Sequence, residues 1–126
     1  MSGSPKLGID ICSVNRIRLA IERGGGRFLN RVFTKKEQAY CGSKRNRYEN
    51  YAARFAAKEA VIKAKKGGPG RYAFRDIEVI RGAKGEPSIY ISPEARKKFG
   101  IPRGARFELS LTHEREFAVA CVAMFS

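Results

Sequence analysis

The sequence predicts an α+β domain: a twisted, mainly antiparallel sheet packed on one long helix, with short flanking helices. Three observations lead there. Residues 48–66 are rich in alanine and free of Gly and Pro, which marks a helix. Residues 6–12 and 106–112 alternate apolar and polar side chains, and 117–125 are almost wholly apolar, which marks strands. The resulting order of strand, helices, strands, helix, strands is that of an α+β layer arrangement. At 126 residues the chain makes one domain, assigned to 7–126, with 1–6 expected as a flexible tail.

Taken in order, Leu7, Ile9 and Ile11 form the apolar row of the first strand, and Asp10 lies opposite that row. Aspartate is depleted in strands, so Asp10 is either a strand-edge residue facing water or a carboxylate held on a rigid element. Ser13 can cap a helix from Val14 to about Arg23, which Gly24-Gly25-Gly26 is expected to end. A linking segment, Arg27 to Phe33, precedes the capping-box pattern Thr34-Lys35-Lys36-Glu37, which opens a short helix to about Cys41. Residues 42–47 read as a basic loop before the long helix. Gly67-Gly68-Pro69-Gly70 follows that helix as a C-cap and not as a phosphate cradle, since phosphate favours the start of a helix.

Asp76–Arg81 and Ser88–Ile91 are expected as strands around the turn Lys84-Gly85-Glu86-Pro87. Ser92-Pro93 then opens a short helix closed by Gly100. Arg106–Thr112 and Phe117–Phe125 complete the sheet, joined by His113-Glu114-Arg115-Glu116, which holds the single histidine. A histidine in such a polar turn is either simply exposed or recruited to a site.

Composition narrows the function. No apolar run approaches the roughly 20 residues of a membrane span, and the start of the chain lacks the apolar core of a signal peptide. Three widely spaced cysteines with one histidine form no zinc pattern and read as buried thiols in a reducing, cytoplasmic setting. The excess of 26 Lys and Arg over 12 Asp and Glu gives a formal net charge of +14. Such a field draws polyanions, whether nucleic acid, an acidic membrane surface, or an acidic protein with a phosphorylated small molecule. Nucleic acid is the less expected partner, because no RNP or zinc-finger signature is present.

Within the long helix, 100° per residue sets Phe55 and Ile62 on one side and Ala53, Ala56, Ala57, Ala60 and Ala64 on the next. Arg54, Lys58 and Lys65 fall on the remaining, solvent-facing side. Glu59 falls inside the apolar arc with Lys63 one turn above it. That spacing means either an i,i+4 ion pair or a carboxylate and an ammonium aimed into a cleft.

Five segments, Gly8-Ile9-Asp10, Arg31-Val32-Phe33-Thr34 with Glu37, Arg54-Phe55-Ala56-Ala57-Lys58-Glu59-Ala60 with Lys63, Gly85-Glu86-Pro87, and Ser110-Leu111-Thr112-His113, are in register across nearly the whole chain. Together they resemble the holo-[acyl-carrier-protein] synthases, the small phosphopantetheinyl transferases. The resemblance implies transfer of the 4'-phosphopantetheine arm of coenzyme A to a serine of apo acyl carrier protein for fatty acid synthesis. Adenosine 3',5'-bisphosphate leaves, Mg2+ is required, and a homotrimer carries its sites at subunit interfaces. It further implies Asp10 and Glu59 as Mg2+ ligands, with Asp10, Glu59 and Lys63 catalytic. Arg54, Lys58, Lys63, Pro87 and His113 would contact coenzyme A, and Arg16, Arg23 and Arg27 the acidic carrier. Glu59 as metal ligand and Glu59 as a base acting through water are both compatible with the residues. The three-glycine run and the basic loop Lys44–Arg47 match no fixed motif of that family. A nucleic-acid-binding module and an idle scaffold that merely binds coenzyme A are the competing readings.

Overall fold

The computed structural model describes residues 3–65 and 74–126. The expected glycine C-cap at Gly67–Gly70 lies outside the described residues. The elements in chain order are β1 (Lys6–Ser13), α1 (Val14–Val32), α2 (Lys35–Gly42), α3 (Arg47–Lys65), a 3-10 turn (Phe74–Asp76), β2 (Glu78–Arg81), β3 (Pro87–Tyr90), α4 (Pro93–Phe99), β4 (Arg106–His113) and β5 (Phe117–Phe125). β5 lies between β1 and β4 in one antiparallel sheet, and β2 pairs with β3 in a second.

α3 is the hub. The three-stranded sheet covers one side of it, and α1, α2 and β2 close on the others. Its alanines, from Ala52 and Ala53 through Ala56, Ala57, Ala60 and Ala64, are fully buried, so neighbouring backbones approach closely. The closest approach is at Gly8. A Cβ there would stand 1.9 Å from the Ala60 carbonyl oxygen and 2.7 Å from the Ala64 nitrogen. Only a residue without a side chain lets β1 lie against α3.

That contact corrects the expected facing of β1. Gly8 and Cys12 are buried against the helix, while Leu7, Ile9 and Ile11 are each 63% exposed on the outer face. The larger apolar residues were expected to face the core. Backbone packing against the alanine face overrides hydropathy here. Pairing places Leu7, Ile9 and Ile11 opposite Ala123, Cys121 and Val119 of β5, so an apolar stripe runs across the outside of the sheet. β5 is therefore covered on one face only, with Phe117 and Cys121 exposed on the other.

The glycine run interrupts the first helix as expected, at Gly25, whose φ of 53° and ψ of −140° suit glycine alone; what differs is the segment after it, expected as a linker, which is helical to Val32. The break turns the second half of α1 back toward the core, where Phe28 and Leu29 pack. The capping boundaries hold: Ser13 Oγ accepts from the Arg16 N–H, and Thr34 and Glu37 form the reciprocal capping box of α2. Gly100, in the left-handed region at φ 72°, closes α4. Asp76 falls in the 3-10 turn and not in β2.

Gly8→Ala is expected to cost at least about 3 kcal/mol, because neither the Ala60 carbonyl nor the Ala64 amide can move without breaking α3. Gly26→Ala, where an added Cβ meets nothing within 4 Å, should be neutral or stabilise by about 0.5 to 1 kcal/mol. Denaturant unfolding of the two variants beside the parent checks both.

Candidate active site

Two of the clefts along α3 hold the expected site residues. The first, of about 380 Å³, is lined by Asp10, Cys12, Arg16, Phe28, Phe55 and Glu59 among others. Asp10 arrives there because it shares the inward face of β1 with Gly8, and Glu59 because it precedes Ala60 on the helix. Separate elements thus set two carboxylates at one opening. Burial pushes the Glu59 carboxyl above its usual range, the Asp10 carboxylate pushes the same way, and Lys63 opposes both. Burial likewise pushes the Cys12 thiol up to about 11, which keeps it protonated and unsuited to be a nucleophile.

Lys63 does not pair with Glu59 along the helix. Its ammonium donates to Asp10 Oδ1 at 3.0 Å and to the Ile9 carbonyl at 3.1 Å, bridging α3 to β1. One of its three N–H donors is left for a ligand. Of the arginines expected to meet a carrier, Arg16 lines this cleft, while Arg23 and Arg27 are exposed on either side of the Gly25 break.

The second cleft, also about 380 Å³, is lined by Lys44, Arg54, Arg81, Pro87 and His113 around Tyr40. Three cations gather on the one tyrosine ring. Lys44 Nζ, Arg54 Cζ and Arg81 Cζ lie 4.6, 4.5 and 4.9 Å from its centroid. Among the described residues no carboxylate lines this cleft. Arg54 is only 2% exposed, donates to Asn50 Oδ1 at 3.3 Å, and has a buried Nη2 with no hydrogen-bond partner among the described residues. An orphaned guanidinium donor beside two further cations is a place for an anion. Tyr40 and Arg81 were missed in the sequence because each resembles an ordinary surface residue, and Lys44 was read only as part of a basic loop.

Lys58 requires a correction. It was expected on the solvent side of α3 as a coenzyme A contact, and it is fully buried. Its Nζ donates to Glu37 Oε1 at 2.9 Å, to the Phe74 carbonyl at 3.0 Å and to the Ile77 carbonyl, which uses all three donors. Burial pulls the Lys58 ammonium below its ordinary range, and the Glu37 carboxylate holds it up. Glu37 Oε2 in turn accepts from the Val79 N–H at 2.8 Å. Helix periodicity placed Lys58 correctly around α3; what it missed is that α2 and the 3-10 turn cover that side. The capping box at Thr34-x-x-Glu37 was the available signal, since it fixes where the Glu37 carboxylate lies.

Fold and clefts together set two carboxylates at one opening and a cluster of cations at another. The chain belongs to the 4'-phosphopantetheinyl transferase superfamily, whose profile matches residues 6–122. It is 44% identical over 115 residues to a holo-[acyl-carrier-protein] synthase of Chlamydia caviae, covering 90% of this chain and 91% of that one. It is 46% identical to the synthase of Halothermothrix orenii over 92% of this chain and 93% of the relative. The crystal structure of the Helicobacter pylori holo-[acyl-carrier-protein] synthase in complex with coenzyme A superposes with a TM-score of 0.80 at 34% identity, covering 94% of this chain and 98% of that one.

Lys58→Met is expected to destabilise the fold by about 3 to 5 kcal/mol, because it leaves the Glu37 carboxylate buried without its partner. Coenzyme A affinity of the folded fraction should stay at the parental value. Thermal unfolding with titration calorimetry below the transition measures the two separately.

Proposed function

We propose that this chain transfers the 4'-phosphopantetheine arm of coenzyme A to a serine of apo acyl carrier protein, releasing adenosine 3',5'-bisphosphate. The observation that carries this reading is the convergence of Asp10 and Glu59, from different elements, on one cleft beside Arg16. Two carboxylates in repulsion are a donor set suited to Mg2+, which takes one or two carboxylates together with substrate phosphates and water. When bound, Mg2+ supplies neutralisation of charge on the phosphoryl oxygens.

The remaining chemistry belongs to side chains. The carrier serine oxygen attacks the phosphorus bearing the pantetheine arm, and the bond from that phosphorus to the bridging oxygen breaks. Lys63, with one donor uncommitted, stabilises the charge that develops on the phosphoryl oxygens. The Glu59 carboxylate takes up the serine proton directly or through water, or serves only as a metal ligand. Arg54, Lys44 and Arg81 hold the phosphorylated nucleotide end, with Pro87 and His113 at the same cleft. Arg16, Arg23 and Arg27 meet the acidic carrier, and the net charge of +14 steers both substrates. Fatty acid synthesis in the cytoplasm is the setting this reaction serves.

A homotrimer fits the outer face of the sheet. Leu7, Ile9 and Ile11, each 63% exposed, present an apolar stripe beside Phe117 at 45% exposure, of the kind that marks an interaction surface. Among the described residues no helix is long and apolar enough to cross a membrane.

The decisive experiment is the intact mass of apo acyl carrier protein after incubation with the protein, coenzyme A and Mg2+. One phosphopantetheine should be gained, and the gain should disappear with EDTA and fall by at least about 100-fold in rate with Glu59→Ala. No gain across several carriers, with no coenzyme A binding, would overturn the reading in favour of a nucleic-acid-binding module. For assembly, sedimentation should give a trimer for the parent and a monomer for Ile9→Asp. A trimeric Ile9→Asp protein would place the interface elsewhere.

A further inference from the structure

The His113 ring is held by Glu49. Nδ1 lies 2.8 Å from Glu49 Oε1, joining the end of β4 to the first turn of α3, with the side chains 30% and 23% exposed. The pair stands between two basic clefts. His113 lines the one around Tyr40, and Glu49 lines a smaller one, of about 280 Å³, with Arg18, Arg45, Arg47 and Arg115. Among the described residues Glu49 is the only carboxylate on either wall. With four arginines around its own cleft, it would be expected to pair with one of them; among the described residues its ion pair is to His113.

A carboxylate can only accept, so Nδ1 must carry the hydrogen and donate. The ring is thereby fixed in one orientation and one nitrogen is spent. Nε2 makes no hydrogen bond among the described residues and remains for a ligand in the cleft that His113 lines. The Glu49 carboxylate is itself favoured by its place in the first turn of α3, the positive end of the helix dipole.

We propose that Glu49 is a positioning residue for coenzyme A: it orients His113 so that Nε2 is presented to the nucleotide end of the substrate. This rests on the reading of His113 as a coenzyme A contact. Glu49 touches no substrate and acts through the imidazole.

A double-mutant cycle on the full-length protein tests it, with kcat and KM for coenzyme A measured for the parent, H113A, E49A, E49Q and the E49A/H113A pair. H113A should raise KM about 10-fold, and E49A about 5-fold, each with a much smaller effect on kcat, as expected for loss of one charge-assisted contact. E49Q, whose amide oxygen still accepts from Nδ1–H, should recover most of the E49A loss. The pair should be no worse than H113A alone. Thermal unfolding of each variant guards against a folding effect, which E49Q would least disturb. The proposal is overturned if H113A raises KM while E49A leaves it unchanged, or if the two losses add in full. An unchanged KM in H113A would instead remove the reading beneath it, and the proposal with it.

Discussion

Everything at the first cleft depends on how closely the backbone of β1 can approach α3. That distance is set at one point, where Gly8 lies against the Ala60 carbonyl and the Ala64 amide. Because side chains alternate along a strand, closing Gly8 onto the helix also turns Asp10 inward, two residues on. Because Ala60 is the contact, its neighbour Glu59 meets Asp10, and Lys63 reaches across to β1 at 3.0 Å. The same alternation sends Leu7, Ile9 and Ile11 outward. One packing constraint thus sets the cleft-facing side of the strand and leaves its other face exposed.

The opposite side of α3 is organised by charge. Lys58 and Glu37 form an ion pair with both side chains fully buried, and around it converge the cap of α2, the carbonyls of the 3-10 turn and the first amide contact of β2. Two buried charges are a costly way to hold a core, and an apolar pair of similar volume would often hold it as well. What the pair adds is direction: an ammonium with three fixed acceptors admits one arrangement of three segments. That side of the helix in turn sets where Arg54 lies, and with it the cluster of cations on Tyr40.

The sequence was most legible where local chemistry decides. The capping residues Ser13, Thr34 and Ser92, the αL cap at Gly100 and the hairpin β4–β5 were all where propensity and pattern put them. It misled where tertiary contact outweighs hydropathy. Leu7, Ile9 and Ile11 read as a core face because nothing in a strand pattern reveals that a glycine two residues from an aspartate can pack closer than a leucine. Lys58 read as solvent-facing because helical periodicity tells which residues share a side but not what covers it. Gly24–Gly26 did break the helix, but Arg27 to Phe33 read as a linker because nothing local shows that the chain resumes a helix to Val32. At the first cleft, Glu59 was legible through helical facing, whereas the strand pattern set Asp10 away from the core and the structure turns it inward; Tyr40, Arg81 and Glu49 carry no local pattern that marks them.

The depth of Lys58 has a consequence for how the molecule opens. Most lysines here can be reached by an amine-reactive reagent in the native state, and their modification says nothing about folding. Lys58 becomes reachable only when α2 and the 3-10 turn lift from α3, so its labelling follows the opening of that one joint. The chain therefore carries, in an unmodified amino acid, a local reporter of breathing at the wall behind its cation cluster, separable from the melting of the whole domain.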